Sequence, residues 1–183
     1  YLNQKKIDKE SIDDSGIFTL TRIDNISADI QSPLWIQERL LKSGINTINA
    51  IVDITNYILL EQGQPLHAYD LESLTKITSR TVDSSSFGVR KGKTLEKFLA
   101  LDSKEYQLNE DITVITCHDI PISIAGVIGG FDSAVKESTK SIILEAALFT
   151  PTSVRQTSRS VGIRTESSSR FEKGISNQIT LQS

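Results

Sequence analysis

Ser141-Ile142-Ile143-Leu144-Glu145-Ala146-Ala147-Leu148-Phe149-Thr150-Pro151 changes structural period within one short run. Residues 141–148 form an apolar stretch of strand length, broken by a single carboxylate. Thr150-Pro151 then places a capping hydroxyl before a proline at the first helical position, and a helix is predicted to about residue 160. Upstream of this run the pattern is of strands. Residues 76–82, 87–90, 112–116 and 122–125 read as strands, and 98–101 with 105–108 as a hairpin around Asp102-Ser103. Further upstream, residues 17–23 alternate as a strand. Ser32-Pro33 starts a helix with Leu34, Ile36, Leu40 and Leu41 on its apolar side, ending at Gly44. Residues 48–52 form a short strand candidate. Asp53 is placed to cap a second helix that carries Ile54, Tyr57, Ile58 and Glu61 and closes near Gly63. Strands in mid-chain with helices toward both ends predict an α+β fold rather than alternating βαβ units.

The composition bounds what such a fold can do. With 183 residues, residues 1–183 are read as a single domain, and the lack of any methionine points to a piece excised from a longer chain. An apolar fraction of 38% with a net charge of only −3 excludes disorder by composition. No apolar run approaches the roughly 18 to 20 residues that span a bilayer, and the polar, lysine-bearing start does not resemble a signal peptide. The lone Cys117 permits no internal disulfide and fits a reducing cytoplasm. Together with only His67 and His118 it cannot assemble the usual Cys/His zinc site, so metal-free chemistry or binding is expected. Beyond residue 150, Arg155, Arg159, Arg164, Arg170 and Lys173 stand against only Glu166 and Glu172. A mildly acidic body with a basic end is compatible with local contact to a phosphate backbone, and equally with a solvated helix face.

Four places carry unusual chemistry. In Gly63-Gln64-Pro65-Leu66-His67-Ala68-Tyr69-Asp70, glycine and proline fix a turn that presents His67 at a defined angle; the plain alternative is a half-buried histidine bonded to backbone. Glu145 sits among apolar neighbours, and its same-face strand partners Ile143 and Ala147 are apolar too. It therefore needs a partner or a cavity unless alternation turns it to solvent. Gly126-Val127-Ile128-Gly129-Gly130 allows close backbone approach to a ligand but lacks both phosphate-loop spacings, and a turn or bulge explains it as well. From Arg159 to Gly174 hydroxyls and arginines precede a helix start, with Thr165 as cap and Glu166 to Ser169 as first turn. Such a turn offers N–H donors to an oxygen ligand, or is simply a cap. The missing G-x-S-x-G elbow, with only His67 or His118 to serve as base, argues against a serine hydrolase. Cys117 and His118 are adjacent and would point to opposite faces of a strand, which argues against a cysteine nucleophile.

Five blocks in order carry a family resemblance: Val-Asp-Ile-Thr-Asn-Tyr (52–57), Gly-Gln-Pro-Leu-His-Ala-Tyr-Asp (63–70), Ala-Gly-Val-Ile-Gly-Gly (125–130), Leu-Glu-Ala-Ala-Leu-Phe (144–149) and Gly-Ile-Arg-Thr-Glu-Ser-Ser-Ser-Arg-Phe-Glu-Lys-Gly (162–174). Together they resemble the B3/B4 domain of bacterial phenylalanine–tRNA ligase β subunits. The resemblance implies a three-layer ββα sandwich with mixed or antiparallel sheets and flanking helices. It implies post-transfer editing, the hydrolysis of tyrosine mistakenly esterified to phenylalanine tRNA, with a contribution to tRNA binding. His67 and Thr165 are the catalytic positions so implied, and Glu145, Gly129 and Ser167 the substrate-binding ones. Arg159, Arg164 and Arg170 are candidates for tRNA contact. The family usually carries alanine where this chain has Ser167, and residues 121–125 differ somewhat from the common form. No cofactor is expected in this domain, because ATP and Mg belong to the α-subunit site. The implied partners are the acceptor end of tRNA(Phe), the tyrosine moiety and an α subunit in an α2β2 assembly, in the cytoplasm and away from membranes. A non-catalytic tRNA-binding or bracing module with a silent pocket is the alternative, and a freestanding amino-acid-binding relative is a third.

Overall fold

Strand β10 (Ser141–Phe149) is the axis on which the chain is assembled. The computed structural model describes residues 5–6 and 15–176. β10 pairs antiparallel with β2 (Ser15–Asp24) on one side and with β3 (Leu66–Asp70) on the other. β1 (Lys5–Lys6) extends the β2 edge, giving the order β1-β2-β10-β3. A second antiparallel sheet runs β4-β7-β8-β9, from β4 (Phe87–Lys91), β7 (Thr113–Cys117), β8 (Ile120–Ile124) and β9 (Ile128–Gly129). β5 (Lys97–Leu99) and β6 (Glu105–Gln107) form the expected small hairpin around Asp102-Ser103.

Alternation along β10 decides which side chains meet the second sheet. Ile143, Glu145 and Ala147 share a face with Leu20 and Phe18 of β2 and with Tyr69 and His67 of β3. The apolar members of that face join Phe87, Val89, Ile115, Cys117 and Ile122 of the second sheet in one buried core. Full burial of each large apolar side chain contributes about 1.5–3 kcal/mol, so this sheet-on-sheet seam is the main stabilising layer. Helices α2 (Ala50–Gln62) and α3 (Leu71–Thr78) pack against β3, and α3 also touches β10. Helix α4 (Pro151–Val161) is fastened to β7, where the Thr113 amide donates to Thr157 Oγ1 at 3.1 Å and the Thr113 and Ser153 hydroxyls bond at 3.0 Å. The α+β class is as expected, and so are the strands near 87–90, 112–116 and 122–125.

Several local expectations are overturned. Residues 48–52 are not a strand: the Asn49 side chain accepts from the amides of Ile51 and Val52 and starts α2 at Ala50. Asp53 is therefore not the cap. It lies buried inside the first turn, where its carboxylate accepts from the Ser32 hydroxyl and from the Ile48 amide at 2.8 Å. That contact takes Ser32 away from capping, so α1 (Leu34–Lys42) begins directly after Pro33. Ile36 and Leu40 are its buried residues, while Leu34 and Leu41 are exposed. Residues 76–82 do not form a strand either. Asp70 accepts from the Ser73 amide at 2.5 Å and turns the chain out of β3 directly into α3. The helix after Pro151 is present, but the Thr150 side chain makes no capping bond.

Candidate active site

The His67 segment is a strand rather than a turn, and this places the site. In the β3–β10 ladder Glu145 stands directly opposite His67. Directly opposed side chains on antiparallel strands have Cβ atoms about 4.5–5.5 Å apart and project from the same face. Tyr69, two residues along β3, projects from that face too. Its ring packs edge-on to the imidazole with centroids 4.5 Å apart. The Tyr69 hydroxyl donates to Glu145 Oε2 at 2.5 Å.

Glu145 is only 6% exposed, and burial pushes its carboxyl up to about 7, partly opposed by the Tyr69 hydrogen bond. Low-dielectric surroundings penalise the charged form, and one neutral donor does not offset that. Tyr69, wholly buried against the carboxylate, is held well above the usual phenol range. Burial pushes the His67 imidazole the other way, down to about 4, so it is a neutral base at physiological pH. His67 Nε2 is shielded from solvent and makes no hydrogen bond. A buried imidazole nitrogen without a partner is rare, and it marks His67 as a group in the site with an unmet hydrogen-bonding need.

The glycines explain why the imidazole lies where it does. A Cβ on Gly129 would sit 2.4 Å from His67 Cε1 and 2.6 Å from Nε2, so only glycine lets the β9 backbone back the ring. Helix α5 (Glu166–Lys173) closes the other side. Thr165 forms the predicted capping box: its Oγ1 accepts from the Ser168 amide at 3.1 Å, and Ser168 Oγ accepts from the Thr165 amide at 2.9 Å. The same Thr165 hydroxyl donates to the Val127 carbonyl at 2.9 Å. It thereby ties the start of α5 to the glycine-rich turn, and its proton and one lone pair are both engaged.

These elements enclose a cleft of about 490 Å³. Val52, Thr55 and Leu59 of α2 and Leu66 of β3 line it together with Leu101, Val127, Gly129, Ser123, His67, Glu145, Thr165, Glu166 and Ser167. The size suits a small organic ligand, and an apolar lining with a few polar groups is the usual composition of a ligand pocket. The structure thus brings together His67, Gly129, Glu145, Thr165 and Ser167. Arg159, Arg164 and Arg170 do not line the cleft. Arg159 and Arg164 are exposed at and just after the end of α4, and Arg170 is half-buried in α5. Sequence reasoning missed Tyr69 and the α2 wall. Reading residues 66–70 as a strand would have found Tyr69, because residues 67 and 69 then share a face. Among the described residues no group of three His, Cys, Asp or Glu side chains is placed to hold a metal ion, and no helix is long and apolar enough to cross a membrane.

Comparison with known proteins adds an independent finding. Residues 15–183 match the B3/4 domain family. The chain is 52% identical over 176 residues to a phenylalanine–tRNA ligase β subunit of Prochlorococcus marinus strain MIT 9312, covering 96% of this chain and 22% of that protein. It is 49% identical over 168 residues to the β subunit of strain MIT 9313 and 50% identical over 168 residues to that of Synechococcus sp. strain CC9902, each match covering 92% of this chain and 21% of the relative. The chain spans about a fifth of the length of these curated relatives.

Proposed function

The chain belongs to the B3/4 domain family, and from that premise we propose that it is the editing module of a phenylalanine–tRNA ligase β subunit, hydrolysing the ester of tyrosine misplaced on tRNA(Phe). The observation that carries the proposal is a buried carboxylate, Glu145, facing a largely apolar cleft beside a neutral, unpartnered imidazole. A hydrophobic synthetic pocket rejects an analogue bearing one extra hydroxyl by only about a hundredfold. A site built to hydrogen-bond that hydroxyl discriminates by roughly 10⁴ to 10⁵, because the smaller ligand leaves buried polar groups unpaired. Glu145 accepts the substrate phenol, and phenylalanine has nothing to offer it.

Chemistry at the ester asks little of the protein, since an aminoacyl ester is already labile and a positioned water suffices. The His67 imidazole, neutral near pH 7, orients that water toward the carbonyl or accepts its proton. Gly129 sets the imidazole's position by lying against its Cε1–Nε2 edge. Thr165 acts chiefly by anchoring the start of α5 to the Val127 carbonyl, which keeps Ser167 at the cleft wall. Arg159, Arg164 and Arg170 lie outside the cleft on the segment that carries the basic excess and receive the phosphates of the tRNA acceptor end. The domain works within an α2β2 ligase in the cytoplasm, where ATP and Mg serve the α-subunit site and no cofactor acts here.

The test is deacylation of tyrosyl- and phenylalanyl-tRNA(Phe) by the assembled ligase, wild type and Glu145→Ala. Rapid loss of tyrosine from the wild type, and retention of tyrosine by the variant, is the expected result. Equal rates for both esters, or an unaffected variant, would defeat the assignment.

A further inference from the structure

Resting on the editing function proposed above, we infer that Tyr69 is a positioning residue for tyrosine selectivity: it holds one oxygen of the Glu145 carboxylate so that the other is presented to the phenol of the substrate. Glu145 Oε2 accepts from the Tyr69 hydroxyl at 2.5 Å, whereas Oε1 has no protein partner among the described residues and Glu145 lines the cleft. Tyr69 itself is completely buried and does not line the cleft, so its hydroxyl serves Glu145 rather than a ligand. The ring has no freedom to leave. It is wedged between His67, with centroids 4.5 Å apart, and Phe87, at 6.1 Å. A free glutamate in a cavity samples several rotamers, and immobilising one oxygen removes that freedom before the substrate arrives.

The arrangement also makes phenol recognition an extension of a contact already present. The carboxylate holds one phenol of the protein and is complemented by a second from the substrate, so both oxygens are satisfied only with tyrosine bound. With phenylalanine bound, Oε1 is desolvated and unpaired.

Loss of the Tyr69 hydroxyl changes how Glu145 titrates, because a donor to the carboxylate favours its charged form. The other titratable and charged groups around it are His67 on β3, Glu166 at the start of α5, Cys117 on the second sheet, which bears on Tyr69, and Arg22 on β2, already paired with Asp24 at 2.9 Å. In a Tyr69→Phe variant the nearest remaining hydroxyl, that of Ser123, donates to the Ile128 carbonyl at 3.2 Å.

The experiment compares wild-type and Tyr69→Phe ligase in two measurements. The first is the ratio of kcat/KM for tyrosyl- over phenylalanyl-tRNA(Phe) across pH 6 to 9. We expect a fall of about tenfold at pH 7, with the acid limb displaced to higher pH and partial recovery at pH 9. The second is the titration of Glu145 followed by its carboxyl infrared band, assigned with Glu145→Gln; its midpoint should rise in Tyr69→Phe. An unchanged ratio and pH profile, in an enzyme that still edits, would overturn the role of Tyr69 while leaving the editing function intact. If the wild type fails to edit, the editing function falls instead, and an unmoved Glu145 midpoint would then overturn the Tyr69 contact as well. Should Tyr69→Phe not fold, 3-fluorotyrosine at position 69 reads the same contact with the opposite sign, since a more acidic phenol is the stronger donor.

Discussion

His67 and Glu145 are direct partners across the β3–β10 ladder, yet they form no ion pair. Burial raises the carboxyl to about 7 and lowers the imidazole to about 4, so between those values both are neutral. The carboxylate that remains at higher pH turns to Tyr69 rather than to the imidazole. The histidine nitrogen is thereby left without a partner among the described residues, and one glutamate oxygen likewise. Had the two been paired, each would have quenched the other's chemistry.

A carboxyl titrating near 7 should stamp its pH dependence on selectivity. An ionised Glu145 accepts a phenol hydrogen bond far better than a neutral one. The ratio of tyrosyl- to phenylalanyl-tRNA hydrolysis is therefore expected to rise as pH passes through about 7. Taking the ratio removes the ordinary alkaline lability of esters, which acts on both substrates. In Glu145→Gln the rise should vanish, leaving a low ratio at every pH. The check is parallel deacylation of the two charged tRNAs from pH 6 to 8.5.

Gly129→Ala should damage the site by crowding the Cε1–Nε2 edge of His67. The new methyl carbon would lie within 2.4 Å of the imidazole, and His67 cannot retreat far because Tyr69 packs against its other side. Overpacking of this kind costs about 1–3 kcal/mol. We expect a fall in melting temperature of several degrees and at least a tenfold loss of tyrosyl-tRNA hydrolysis. Calorimetry and deacylation read the two effects separately. A variant that keeps full hydrolytic activity would show that the position of the ring is unimportant.

How far the site was legible before folding depends on which interactions wrote it. Glu145 was conspicuous because an isolated carboxylate in an apolar run must find a partner or a cavity, and it has both, in Tyr69 and the cleft. Thr165 was legible because a capping box is local chemistry. Tyr69 was not, since its role comes from a ladder joining residues far apart in sequence. The errors at Asp53 and at residues 76–82 have a similar origin. Asp53 was drawn into a tertiary contact with Ser32, which left capping to Asn49, while Asp70 closes a strand and caps a helix at once.

Ser167 sets a wall of the cleft, and filling that wall should close the site. Ser167→Trp places an indole in a space of about 490 Å³ that, under the proposed editing function, also admits a tyrosyl ester. Hydrolysis of tyrosyl-tRNA is expected to drop to the uncatalysed rate, while Ser167→Ala, which only removes a hydroxyl, should retain most of it. Single-turnover deacylation distinguishes the two. Normal turnover in the tryptophan variant would place the ester elsewhere.

Stability offers a test that needs no substrate. Glu145 has its folded pKa raised from 4.5 to about 7, so the native state holds a proton that the unfolded chain releases above 4.5. Its contribution to stability is fully present below pH 4.5, declines between 4.5 and about 7, and is constant above; the difference is about 3 kcal/mol. His67 has the opposite sign. Its folded pKa is depressed from 6.5 to about 4, so the unfolded state binds the extra proton and stability rises with pH from about 4 to 6.5. In the wild type the two slopes oppose each other over nearly the same interval and leave a shallow net dependence. Glu145→Gln removes only the falling component, so its stability should climb steeply between pH 4.5 and 6.5. His67→Gln removes only the rising one and should show the reverse slope. Urea denaturation of the three proteins at half-unit pH steps measures this directly, and parallel curves would mean that neither group is buried as described.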